Sequence, residues 1–326
     1  MREIMYRDAI CEALDEEMER DDSVLLLGED VAFIGGNFKT SVGLYDKYGD
    51  LRVKDTPISE AGFVGMGIGM ALTGLRPVVE LMFSDFLLVA ADQVVNQMAK
   101  IRYMSGGQAT VPMVIRTPIG AGRSSAAQHS QSMQAMVSHF PGLKVLVPST
   151  AQEVKGLLKS AIRDDNPVIL FEHKMEYTNK FEIDDDVELI PIGKADVKRQ
   201  GADITIVATS SQVMKSLKAA EELESEGISC EVIDLRSIIP LDRETIIRSV
   251  EKTGKLLIVD EAHEFCGIGA EIGLNVMDDV FYYLDAPIAR IATPNVPLPF
   301  SPALEFPIIP STDKIRDKVK AIVSGK

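Results

Sequence analysis

The chain has 326 residues, 46% of them apolar and 25% charged, a balance that suits a soluble globular protein with enough chain for two cores. A net charge of −15 opposes an electrostatic footprint on a phosphate backbone, and no apolar run approaches the roughly 18 residues of a membrane span. Cys11, Cys230 and Cys266 are too dispersed for a zinc spacing or a disulfide framework, and the acidic amphipathic start is neither a secretory nor a mitochondrial address. The expectation is a cytoplasmic protein with no nucleic-acid or membrane partner.

In chain order, Met5, Ala9, Ile10, Ala13, Leu14 and Met18 form one helical stripe, and VLLLG from Val24 reads as a buried strand. A glycine-rich helix from Ala61, a strand from Pro77 and a helix from Phe86 to about Tyr103 follow, the last ending at Gly106-Gly107 as a C-cap should. VPMVIRT, LKVLVP and PVILFEH supply three more strands, with a helix from Ala151 to Arg163 before the last. The acidic stretch from Phe181 to Asp203, broken by Pro191 and Gly193, reads as a linker and the entry to a second domain. That domain repeats the grammar: strands DITIVAT, SCEVIDL, KLLIVDE and APIARIA, and helices Gln212–Glu226, Arg243–Lys252 and one from about Ile268. TPNVPLPFSP is too proline-rich for a helix and reads as an extended arm before a closing helix, Thr312 to about Ile322. Alternating strands and helices predict two α/β domains with parallel sheets, placed at 1–188 and 189–326.

Ligands of parallel sheets sit beyond the C-terminal ends of strands, which singles out Glu29 after the first buried strand, Glu60 in DTPISEAGF and His129 in GAGRSSAAQHSQS. Taken singly, each has an ordinary reading: a surface or capping carboxylate, a helix-start carboxylate favoured by the dipole, a solvated loop histidine. His139, His173 and His263 lack partners at metal spacing and read as structural. Gly62, Gly65, Gly67 and Gly69 each cost the helix roughly 1 kcal/mol against alanine, which close approach of another chain segment or a ligand would offset. Gly267, Gly269 and Gly273 resemble a dinucleotide fingerprint only loosely, because EAHEFC separates them from their strand; helix packing is the better reading.

Together the motifs identify a family. GEDV at Gly28, DTPISEAGFVGMGIGMALTGLRPVVELMFSDF from Asp55, DQVVNQMAKIRYMSGG from Asp92, AAQHSQS from Ala126, PGLKVLVPST from Pro141, KSAIRDDNPVILFE from Lys159, and DLRSIIPLD, DEAHE and LPFSP resemble the beta subunit of thiamine-diphosphate-dependent 2-oxo acid dehydrogenases. The resemblance spans essentially the whole chain and includes the acetoin dehydrogenase branch, which LMFSDF and LDAPIARIATPNVPLPFSPALE favour over the pyruvate branch. It implies a transketolase-like fold of two doubly wound parallel-sheet domains, a pyrimidine-binding domain and a C-terminal domain for assembly and acyltransferase contact.

The resemblance also implies roles. Glu60 would hydrogen-bond the aminopyrimidine nitrogen of thiamine diphosphate and relay a proton through the cofactor, Phe86 would pack on that ring, and Glu29 would be a second acid beside it. His129 would face the reacting carbon and move a proton during carbonyl addition or acyl transfer. The family's Mg²⁺ site begins GDG and ends NN; neither string occurs here, so Mg²⁺ and the diphosphate would come from an alpha subunit in an α₂β₂ heterotetramer. Some relatives hold potassium on backbone carbonyls corresponding to about Met113, Ala161, Ile162, Asp164 and Asn166. The expected activity is cleavage of acetoin, or of pyruvate or a branched-chain 2-oxo acid, with the acyl unit passed to the lipoyl group of a dihydrolipoamide acyltransferase. A non-catalytic assembly subunit is the reading from a different class.

Overall fold

The computed structural model describes residues 1–325. The chain divides into two compact units, one comprising residues 1–119 and 136–192, the other residues 120–135 and 193–326. The loop that carries His129 therefore belongs with the second half of the chain.

In the first unit, six parallel strands pair in the spatial order Lys144–Leu146, Val168–His173, Val114–Ile119, Arg76–Glu80, Val24–Gly28 and Val53–Asp55. Val24–Gly28 is buried along its whole length, as its unbroken apolar run requires of a strand covered on both faces. The chain leaves this strand toward Val53–Asp55 on one side and returns on the other as Arg76–Glu80, which makes the gap between Val24–Gly28 and Arg76–Glu80 the topological switch point. Helix Tyr6–Arg20 buries Ala9, Ile10, Ala13, Leu14 and Met18 against helix Ala151–Arg163 and the sheet. Thr150 caps the latter helix by accepting from Glu153 N, while the Glu153 carboxylate accepts from Ser149 N one residue before the cap.

In the second unit, strands Ala289–Thr293, Leu256–His263, Ile204–Ala208 and Cys230–Asp234 run parallel, and Asp196–Arg199 closes the edge antiparallel to Cys230–Asp234. Helices Gln212–Glu224 and Thr312–Val323 share a core with this sheet in which Val213, Ala219, Ile315 and Val319 are fully buried. Helix Ile268–Val280 brings Gly273 against Ile288 and Ile258, the packing role expected of its glycines.

The structure departs from the sequence reading at three places. Phe86–Tyr103 is not one α-helix: a 3₁₀ turn Ser84–Leu88, a π-helical stretch Gln93–Met98 and a short helix Ile101–Met104 replace it. The widened turn carries the bond Ala99 N–H to Val94 O, and Gly142 lies so close to the Ala99 carbonyl that a Cβ there would overlap it. The end is as expected, with Gly107 N–H donating to Arg102 O and both glycines at positive φ. The supposed linker contains two strands: Lys180–Ile183, antiparallel to Arg2–Met5, and Asp196–Arg199. Beyond the extended prolines, Pro302–Ile308 forms a further short helix.

Candidate active site

Glu29 stands one residue past the C-terminal end of Val24–Gly28, at the switch point. The neighbouring strand dictates Gly28, since a Cβ there would lie 2.7 Å from the carbonyl oxygen of Glu80 and 3.0 Å from Val31 Cγ1. Asp55, at the end of the other flanking strand, accepts from Ala32 N–H at 2.7 Å and fixes the turn that follows Glu29. Glu60 is the first residue of helix Glu60–Leu72, where the unpaired amides of the first turn favour a carboxylate.

Both carboxylates are nearly inaccessible, at 6% exposure for Glu29 and 5% for Glu60. Burial first, and then the charges of Glu60 and Asp30, push Glu29 up to about 6. Glu29 Oε1 is buried without a hydrogen-bond partner, and so is Thr56 Oγ1, four residues before Glu60. The fold thus brings together two of the candidate acids and leaves an unanswered acceptor between strand end and helix start. This suits a ligand with a hydrogen-bond donor. Phe86, half-buried in the 3₁₀ turn, meets Phe83 edge-on at 5.9 Å; Phe83 meets Phe38, and Phe38 stacks on Tyr177 at 4.6 Å.

Under this crevice lies a buried ion cluster that sequence reasoning did not single out. Arg116 forks onto Glu172 with bonds of 2.7 and 2.9 Å and reaches Glu80 at 2.8 Å; Tyr177 also donates to Glu172. Burial works against the Arg116 charge, but Glu172 and Glu80 raise its pKa, whereas burial leaves Glu172 raised. Removing one member of such a cluster costs about 3–5 kcal/mol, because the others stay buried and unpaired. The available signal was a charged residue late in each of three apolar runs: PVVEL, VIRT and LFEH.

His129, the remaining acid–base candidate, lies in the second unit and is half-buried, its backbone N–H donating to Ala126 O. Its segment is tied to that unit's sheet and C-terminal arm. Glu261 accepts from Ala121 N–H at 2.6 Å, Glu305 accepts from Gly122 and Ser124 N–H at 2.9 and 3.0 Å, and Gln134 donates to Asp260 at 3.0 Å. The positions expected for potassium gather where helix Ala151–Arg163 ends. There the Ile162 and Asp164 carbonyls both accept from Arg76 Nη1, Asp164 N–H donates to Ala161 O, and Met113 O accepts from Val168 N–H. His173 Nδ1 accepts from Met175 N–H and His263 Nε2 bonds Val296 O, while among the described residues no three His, Cys, Asp or Glu side chains group as a metal site.

A doubly wound sheet with acids at its switch point, followed by a second parallel-rich sheet, defines a transketolase-like protein. The transketolase pyrimidine-binding domain matches residues 2–180 and the transketolase C-terminal domain residues 193–315. An inactive beta4 tetramer of a split-gene transketolase superposes with a TM-score of 0.80 over 98% of each chain at 23% identity, and a transketolase mutant from Pichia stipitis with 0.71 over 100% of this chain and 46% of that one at 17% identity, likenesses of fold. The chain is 48% identical to a pyruvate dehydrogenase E1 component subunit beta of Rickettsia felis, covering 98% of each, and 48% identical to the beta subunit of an acetoin:2,6-dichlorophenolindophenol oxidoreductase of Bacillus subtilis, covering 96% and 95%. A mitochondrial pyruvate dehydrogenase beta subunit of Oryza sativa is 50% identical over 96% of this chain and 85% of its own. This chain belongs to the family of pyruvate and acetoin dehydrogenase beta subunits.

Proposed function

We propose that this chain works with an alpha subunit as the beta half of a thiamine-diphosphate-dependent dehydrogenase component, and that Glu29 and Glu60 hold the aminopyrimidine end of the cofactor. The observation that carries this is the buried pair itself, with Glu29 pushed up to about 6 and its Oε1 unanswered beside Glu60. Burial and the charges of Glu60 and Asp30 make Glu29 a readily protonated acid, and Glu60 beside it stands at the start of its helix to hydrogen-bond a ring nitrogen. When bound, the cofactor supplies the electron sink for carbon–carbon cleavage. Phe86 offers an aromatic face for the ring, and the Arg116 cluster keeps three strand ends, and with them the crevice, in register.

The reaction is cleavage of acetoin or a 2-oxo acid, the acyl unit passing to the lipoyl group of an acyltransferase, with His129 moving a proton in carbonyl addition or in that transfer. Relatives of both substrate kinds stand at the same identity. We further propose that Mg²⁺ and the diphosphate are held by the alpha subunit, that residues 189–326 serve assembly and acyltransferase contact, and that the protein acts in the cytoplasm. Among the described residues no helix is long and apolar enough to cross a membrane. A potassium ion at the end of helix Ala151–Arg163 would share the Ile162 and Asp164 carbonyls with Arg76.

The test is Glu60→Gln in the complex reconstituted with its alpha subunit, followed by hydrogen exchange at the reactive carbon of bound thiamine diphosphate. Exchange should slow by about 10²–10⁴-fold with an unchanged melting curve, as for a lost acid–base group. Undiminished exchange at saturating cofactor would remove Glu60 from the relay.

A further inference from the structure

The segment that carries His129 has an unusual backbone. Gly120, Gly122, Ser124 and Ala126 all have positive φ, at 100°, 97°, 54° and 61°, with a residue of ordinary φ between each pair. Glycine accepts this at no steric cost, but Ser124 and Ala126 do not, and such conformations persist only where the surroundings impose them. Alternation of this kind turns successive amides toward one side and forms a nest for an anion. Here the anion comes from the protein: the two oxygens of Glu305 accept separately from Gly122 and Ser124, and Glu261 accepts from Ala121.

Glu305 has no other visible reason to be where it is. It is fully buried, and it is the fourth residue of helix Pro302–Ile308, beyond the N-cap Ser301, so it does not cap its own helix. Its own amide already donates to Ser301 O within that helix, so only the side chain turns to the nest. Burying a carboxylate is costly unless charge-assisted hydrogen bonds compensate, and these two backbone donors are what it receives.

We propose that Glu305, assisted by Glu261, is a positioning residue: its carboxylate holds the 120–126 backbone in this conformation and so sets where His129 stands. The inference rests on the role given to His129 above, but its first consequence can be measured without it.

In the complex with its alpha subunit, Glu305→Ala should speed amide hydrogen exchange at residues 121–126 by at least about tenfold. Glu305→Gln, which keeps one acceptor oxygen, should have a smaller effect. Acyl transfer to the lipoyl group should fall by about 10²-fold in kcat, the scale of a misplaced catalytic group, with cofactor affinity unchanged. His129→Ala combined with Glu305→Ala should be no slower than His129→Ala alone. Unchanged exchange in 121–126 would overturn the proposal, as would faster exchange with losses that add to those of His129→Ala, since Glu305 would then act elsewhere. If His129→Ala by itself costs nothing, the role of His129 fails and this proposal with it, whereas the exchange data still report whether Glu305 holds the loop.

Discussion

Asp260 behaves in the second unit much as Glu29 does in the first. Burial pushes it up to about 6, with neighbouring Glu261 adding to the shift, although Thr209 and Gln134 donate to its Oδ1 and pull the other way. An acid raised in the folded state contributes stability that is complete below its ordinary value, near 3.8, and is lost as pH rises through about 6. Asp260→Asn keeps an oxygen for both donors and removes the charge. Urea unfolding between pH 4 and 7 should therefore show a flatter pH profile for the variant than for the parent, with no loss of stability at pH 7. A variant profile as steep as the parent's would mean the slope arises elsewhere. Glu29 and Glu60 were legible in the sequence because a strand end and a helix start are recognisable locally. Glu305 was not, because its partners Gly122 and Ser124 lie some 180 residues away and nothing local distinguishes it from a surface glutamate.

The glycines of helix Glu60–Leu72 show what an element demands beyond its hydrophobic pattern. At Gly67 a Cβ would lie 2.9 Å from Val79 Cγ2 and 3.0 Å from Met113 Cε, so the glycine lets the helix settle on the sheet; at Gly69 there is open space. Gly67→Ala should lower the stability of the chain by about 1–3 kcal/mol through overpacking, and Gly69→Ala should raise it by about 1 kcal/mol through helix propensity. Denaturant midpoints of the two variants should move in opposite directions, and a common direction would contradict this account. Element boundaries in regular stretches, such as Ala151–Arg163, follow from cap and period. The π-helical turn at Gln93–Met98, which packs beside Gly142 at Ala99, does not, since an extra residue in the turn leaves no trace in a 3.6-residue period. Nor do the strands hidden in the acidic stretch: Lys180–Ile183 needs Arg2–Met5 beside it to be a strand at all.

For the whole molecule, the proposal that an alpha subunit holds Mg²⁺ and the diphosphate rests on a sequence with neither a GDG nor an NN string and a net charge of −15. Calorimetry of the purified chain with thiamine diphosphate and Mg²⁺ should show weak binding that becomes tight only with the alpha subunit added; micromolar affinity without it would contradict the proposed division of labour. The acyltransferase contact expected of the second unit is best sought with charge reversals on exposed positions such as Asp313 or Asp317. Deleting everything from Ser311 would strip Ile315 and Val319 from the core and unfold the unit before testing anything.

Because residues 120–135 belong to the later unit, the ribosome makes the histidine loop long before it makes Glu305, the last of its partners. At typical elongation rates, synthesis of Glu305 follows that of Ala135 by on the order of 10–30 s. Throughout that interval the nascent 120–135 segment lacks the Glu305 carboxylate, although Glu261 and Asp260, which bond Ala121 and Gln134, are made earlier. If Glu305 holds the loop as proposed, a chain cut short before it would keep its first sheet and still lack the bonds that Gly122 and Ser124 make.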